Sequence, residues 1–175
     1  YGGSNPTGAL GYAFAVQEFL TQGLEADWMV FGTSSGGTHA GLVLGQRAFG
    51  FNGKVLGVSI DETESWLKAH VSALATEASD RLGTHFEFHP EDVLATDAYC
   101  QAGYGILTDR EREAVQLFAK YEGILLDPVY TGRAAAGMID LIRQGYFKPG
   151  ETVLFWNTGG QPALFAEMYQ TDLLS

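Results

Sequence analysis

Three short runs, WMVFG (Trp28–Gly32), KVLGVSI (Lys54–Ile60) and the TVLFW of ETVLFWNTGG, are apolar along nearly their whole length. A strand with one wet face alternates polar and apolar residues, so a continuous apolar run requires cover on both faces. Each run leads into a segment of helical composition, and GILLDP, stopped by Pro128, reads as a further strand of the same kind. Strand and helix therefore alternate along the chain. That pattern predicts an α/β fold, an open and mostly parallel sheet with helices on both faces.

The helices between the runs carry their own signals. Thr7 is a candidate N-cap for a helix over Ala9 to Gln22 that Gly23 stops. A second helix is expected from about His39 to Phe49, with Gly41 and Gly45 four apart on a face that approaches the sheet closely. Leu67, Val71, Leu74 and Ala78 keep helical spacing. Thr108 and Glu111 form a capping box for a helix to about Tyr121, whereas THFEFHPEDVLATDAYCQAGYG reads as irregular. TGRAAAGMIDLIRQG is a helix ended by Gly145, and QPALFAEMYQ is the last helix.

With 175 residues and no internal linker or low-complexity tract, the chain is the size of one domain. Its net charge of −11, without a basic run, argues against nucleic acid or an anionic membrane as partner. Cys100 is the only cysteine, which excludes an intrachain disulfide and a cysteine-based metal site. No signal peptide or membrane-length apolar run is present, so the cytoplasm is the expected location.

Parallel sheets bind ligands at the carboxyl ends of their strands. Three glycine-rich turns belong there: GGSNPTG, TSSGGT and NTGG. GTSSG also fits the G-x-S-x-G spelling of a serine nucleophile elbow around Ser34. Such a triad ends in a late histidine, and His39, His70, His85 and His89 all precede the later strands. A phosphate cradle needs only small residues and free N–H groups at a helix start, which Ser35, Gly36, Gly37 and Thr38 supply. No lysine follows the glycines, so this is not a nucleotide P-loop; a phosphorylated organic cofactor is the expected occupant. A tight packing turn is the plain alternative. His85, Glu87 and His89 fall on one side of a candidate edge strand, where a wet face is a better reading than a metal site. No metal is expected. Tyr104 and Tyr130 sit in loops, either capping a core or offering a hydroxyl for proton transfer or carboxylate binding.

GGSNPTGALGY, TSSGGTHAGL, DPVYTGRAAAGMIDLI and LFWNTGGQPALF together resemble successive motifs of the D-cysteine desulfhydrase and 1-aminocyclopropane-1-carboxylate deaminase family. These are pyridoxal-phosphate enzymes with a tryptophan synthase β-subunit-like fold. The resemblance implies pyridoxal 5'-phosphate as cofactor, with Ser35, Gly36, Gly37 and Thr38 at its phosphate. It implies Thr158 at the pyridine nitrogen, Gly159 close to the ring, and Tyr104 and Tyr130 as catalytic tyrosines facing substrate and cofactor. It further implies a small amino-acid substrate and a homodimer.

Two positions separate the branches of that family. The deaminases carry Glu after the second tyrosine and Leu where Thr158 stands; this chain has Thr131 and Thr158. A hydroxyl partner leaves the pyridine nitrogen unprotonated, and expulsion of thiolate needs less electron withdrawal than opening a cyclopropane. The expected activity is α,β-elimination of D-cysteine to pyruvate, ammonia and hydrogen sulfide. Deamination of the cyclopropane acid, or elimination from another substituted amino acid, is the alternative. A non-catalytic phospholigand-binding domain and a serine hydrolase using Ser34 stand further off. Asn157 and Arg133 depart from the family's usual His and Lys. The family's Schiff-base lysine lies in a first-half motif that none of Lys54, Lys68, Lys120 and Lys148 matches. Residues 1–175 are therefore expected to be the C-terminal part of such an enzyme, mainly its larger cofactor-binding domain. The N-terminal half would be its partner, and the fragment would be inactive alone.

Overall fold

The computed structural model describes residues 3–174, with side chains for 3–170. Tyr1 and Gly2, where the first glycine-rich turn begins, lie outside the described residues. Four parallel strands form one sheet in the order β3-β2-β1-β4, where β1 is Trp28–Thr33, β2 Lys54–Ser59, β3 Leu94–Thr96 and β4 Val153–Phe155. Helix α1 (Pro6–Thr21), α2 (Gly37–Phe49) and α3 (Glu64–Leu82) cover one face. Helix α4 (Asp109–Glu122) and α5 (Thr131–Arg143) lie on the other, and α6 (Glu167–Leu174) follows a 3-10 turn over Gln161–Phe165.

The continuous apolar runs explain this layering. Along β1, Met29 and Phe31 enter the core beneath α1 to α3, while Trp28 and Val30 enter the core beneath α5. All four are buried, so both faces of the central strand are dry. Among the described residues, no helix is long and apolar enough to cross a membrane.

Several local expectations are corrected. The N-cap of α1 is Asn5, not Thr7: its side chain accepts from Gly8 N at 2.9 Å, and Pro6 takes the first helical position, where a missing N–H costs nothing. Gly41 and Gly45 face α1 rather than the sheet. A methyl on Gly41 would stand 2.2 Å from the Ala9 carbonyl oxygen, and one on Gly45 2.8 Å from that of Ala13. GILLDP is not a strand. Of its three large apolar residues, Ile124 and Leu125 are exposed and Leu126 alone is buried, so the apolar run has no two-sided apolar environment to enter. The short β3 instead arises from LAT in the stretch read as irregular. HFEFH is also not a strand; His85 takes a left-handed backbone at φ 53° and pairs with Asp80. The last segment splits into the 3-10 turn and α6.

Candidate active site

The carboxyl end of β1 opens into a cleft of about 300 Å³, where the three glycine-rich turns converge. Its walls include Ser4, Ser35 to Thr38, Tyr130 and Thr158. The sheet order explains the convergence. β1 ends at Thr33 and feeds directly into α2, and β4, its parallel neighbour, ends beside it and delivers Thr158.

Gly36 is the N-cap of α2 and has φ 82°, a left-handed conformation in which a side chain would be strained. The first-turn N–H groups of α2, on Gly37, Thr38 and His39, have no intrahelical acceptors by helix geometry. They lie at the positive end of the helix dipole, which favours an anion. Close packing holds this end in place: a methyl on Gly37 would meet Ser4 Cα and Oγ at 2.9 Å each. Ser4 Oγ and Ser35 Oγ are hydrogen-bonded at 2.6 Å, tying the first turn to the second. Thr33, which also lines the cleft, has a buried hydroxyl without a hydrogen-bond partner. A polar group so placed fits a site whose natural contents include further acceptors.

The serine-elbow geometry is not formed. His70 does approach the turn, with Cδ2 3.0 Å from where a Gly36 Cβ would stand. Its ring is stacked on Trp66, with centroids 4.5 Å apart, and no Ser–His hydrogen bond occurs among the described residues. His39 is fully buried, and desolvation lowers its pKa to about 3, so it stays neutral in the core. Among the described residues, no group of three or more His, Cys, Asp or Glu is placed to hold a metal ion.

Tyr104 and Tyr130 come together as a pair. Their hydroxyls are 2.5 Å apart and their rings meet edge-on with centroids at 5.9 Å. The hydrogen bond with Tyr104, reinforced by burial and by nearby Asp61 and Asp127, pushes the Tyr130 phenol well above its ordinary pKa. Tyr130 is thus a protonated hydroxyl at neutral pH, able to donate and accept. Thr158 is exposed on the loop after β4, whose turn is set by Gly159 N donating to Asn157 Oδ1 at 3.1 Å. Gly159 follows with φ 91°.

Asp127 was not singled out by its sequence. Fully buried, its carboxylate accepts from the N–H groups of Val129, Tyr130 and Thr131 at 2.7 to 2.8 Å, and from the Thr131 hydroxyl. It thereby caps the start of α5 and fixes the backbone of Tyr130. Gly160 packs directly on it: an added Cβ would meet Asp127 Cγ at 2.7 Å. One side chain therefore joins the second tyrosine to the loop of Thr158. An Asp three residues before a tyrosine at a helix start was the available signal. Ser4 and Thr33 left no such sign, because their roles depend on which turns the sheet brings together.

The chain's lysines are engaged elsewhere. Lys54 lies over Trp28 at the opposite end of β1, Lys68 pairs with Glu64, Lys120 lies over Tyr121, and Lys148 sits in the loop between α5 and β4. None lines the cleft.

At the carboxyl edge of the parallel sheet, the start of α2, the Tyr130 hydroxyl with Tyr104 bonded to it, and Thr158 on the neighbouring loop thus lie around one cleft. The family model described as "Pyridoxal-phosphate dependent enzyme" matches residues 1–159, and the chain belongs to that family. It is 40% identical over 168 residues to a D-cysteine desulfhydrase of Klebsiella pneumoniae, covering 94% of this chain and 50% of that protein. It is 36% identical over 161 residues to a 1-aminocyclopropane-1-carboxylate deaminase of Methylobacterium nodulans, covering 90% and 48%. A crystal structure of an ACC deaminase homologue superposes with a TM-score of 0.86 at 36% identity, over 99% of this chain and 51% of that one. A fungal L-serine ammonia-lyase from Rhizomucor miehei, at 16% identity and TM-score 0.55, shares the fold. The chain spans about half the length of these relatives.

Proposed function

We propose that this chain forms the C-terminal, cofactor-holding part of a pyridoxal-phosphate-dependent lyase that eliminates thiolate from D-cysteine. The observation that carries the reading is the single cleft in which Ser35 to Thr38, Tyr130 and Thr158 meet. The residues suit the cofactor: backbone donors of Ser35, Gly36, Gly37 and Thr38 for its phosphate, the Thr158 hydroxyl for its pyridine nitrogen, and Gly159 beside the ring. When bound, pyridoxal phosphate supplies an electron sink for charge developing at the substrate's α-carbon.

The chain's own residues do the rest. The α2 N-terminus holds the phosphate by charge-assisted hydrogen bonds. Tyr104 and Tyr130 orient the amino acid, and through their shared hydrogen bond they move a proton toward the departing sulfur. The base that removes the α-proton is assigned to a lysine in the remainder of the full-length protein, because no lysine of this chain lines the cleft. Thr131, at the position that separates the family's branches, is buried and bonded to Asp127. That leaves Thr158 as the pyridine partner and favours the desulfhydrase over the deaminase.

The deaminase remains a second reading, favoured by the superposed ACC deaminase homologue. The resemblance also implies a homodimer, which sedimentation velocity tests. The deciding experiment gives full-length protein, loaded with pyridoxal phosphate, either D-cysteine or 1-aminocyclopropane-1-carboxylate. Sulfide and ammonia from the first support the proposal. Ammonia from the second alone overturns the desulfhydrase reading in favour of the deaminase.

A further inference from the structure

A buried guanidinium is costly unless its donors are satisfied. Arg133 is 0% exposed and is the largest fully buried side chain described. It lies in the first turn of α5, three residues after Tyr130. Its Nε donates to Glu111 Oε1 at 2.9 Å, Nη1 to the Ile60 carbonyl at 2.7 Å, and Nη2 to the Ile106 carbonyl at 2.9 Å. Those acceptors belong to three segments: α4, the residue after β2, and the loop that carries Tyr104.

The other oxygen of Glu111 continues the connection. It accepts from the N–H of Thr108, at 3.0 Å, and from the Thr108 hydroxyl. Tyr169 donates to the Gly105 carbonyl at 2.6 Å. The stretch from Gly105 to Thr108 is therefore tied at three points, two of them through the Arg133–Glu111 pair. Tyr104 stands immediately before it, 55% exposed, with its hydroxyl bonded to that of Tyr130. Helix α5 thus carries one tyrosine at its cap and secures the other from behind. The planar fork of arginine can direct three bonds to three segments at once; a lysine's point charge cannot hold that geometry.

We propose that Arg133 is a positioning residue that fixes the loop over 104–108 against α5, so that Tyr104 meets Tyr130 at the cleft. This rests on the proposed role of the tyrosine pair and names what sets its geometry.

The test uses full-length protein carrying Arg133→Lys, Tyr104→Phe or both, with Glu111→Gln as a second way to loosen the clamp if Arg133→Lys fails to fold. Turnover is followed on D-cysteine and 1-aminocyclopropane-1-carboxylate, cofactor affinity by absorbance, and the hydroxyl pair by the Tyr130 13Cζ chemical shift at neutral pH in ζ-13C-labelled protein. Arg133→Lys is expected to lower kcat on the order of tenfold to a hundredfold with pyridoxal phosphate affinity nearly unchanged. In the Tyr104→Phe background the same change is expected to cost less than about twofold. The Tyr130 13Cζ resonance is expected to move toward that of free tyrosine once the clamp is loosened and the hydroxyl bond with Tyr104 is lost. Additive losses in kcat, or an unchanged Tyr130 resonance, overturn the positioning role while leaving the tyrosine pair intact. If Tyr104→Phe itself changes neither turnover nor the Tyr130 resonance, the tyrosine reading fails first, and this inference with it.

Discussion

The two walls of the cleft are built by different physics. The wall at the start of α2 is made by subtraction: Gly41 and Gly45 let α2 lie directly against α1, Gly37 lets its first turn meet Ser4, and Gly36 turns the chain where a side chain would be strained. The tyrosine-bearing wall is made by addition: buried Arg133, Glu111 and Asp127 tie irregular backbone in place through directed polar bonds. Close apolar contact tolerates no added volume, whereas a polar clamp tolerates no missing partner. The two walls should therefore fail in opposite ways.

The largest effect is expected on the polar side. Glu111→Ala leaves Arg133 charged and buried without its carboxylate, and should destabilise the protein by about 3–5 kcal/mol in urea unfolding. Glu111→Gln should cost visibly less, since the amide oxygen still accepts; equal losses for both would show that charge, not geometry, governs the clamp. On the packed side, Gly41→Val should cost about 1–3 kcal/mol or more, because it drives a side chain into the Ala9 carbonyl. An unchanged urea midpoint for Gly41→Val would remove the argument that α1 and α2 are locked by missing side chains.

A smaller effect separates the walls by pH. His39, behind the cradle, has its pKa lowered from 6.5 to about 3 by burial. The unfolded chain takes up a proton below 6.5 that the folded state refuses until about 3, so His39 costs stability as pH falls through that window. The slope is at most about 1.4 kcal/mol per pH unit. Glu111, on the other wall, is pushed up by burial but more strongly down by its bonds with Thr108 and Arg133, so its net pKa is lowered. Its stabilisation is present above the ordinary carboxylate value and is lost only as pH falls through the lowered one. His39→Leu should therefore flatten acid destabilisation between pH 6.5 and 4.5, with Glu111→Gln acting only below it. An unaltered slope in His39→Leu would mean that the imidazole is not held neutral by the fold.

The same contrast explains what could be read in the sequence. The sheet and the glycine turn that opens α2 were legible because continuous apolar runs and clustered glycines are local signals with a direct structural meaning. The capping box of Thr108 and Glu111 was legible as a helix start, but its second task, receiving Arg133 from a helix 22 residues later, was not. Arg133 looked like a departure from a family pattern, and only burial shows it to be a three-way connector. GILLDP misled because an apolar run predicts cover on both faces without saying whether the fold provides it. The Ser4–Ser35 bond spans 31 residues and depends on α1 and α2 packing first.

The central claim is that TSSGGT is an anion cradle and not a nucleophile elbow. The most direct measurement compares the affinity of full-length protein for pyridoxal phosphate and for pyridoxal, which lacks the phosphate, in Gly36→Val and Ser34→Ala variants. A cradle predicts that Gly36→Val weakens pyridoxal phosphate binding by tenfold or more, about 1.4 kcal/mol, and leaves pyridoxal binding unchanged. Ser34→Ala should leave both nearly as they were. Equal losses for both ligands in Gly36→Val, or labelling of Ser34 by a fluorophosphonate that Ser34→Ala abolishes, would contradict it.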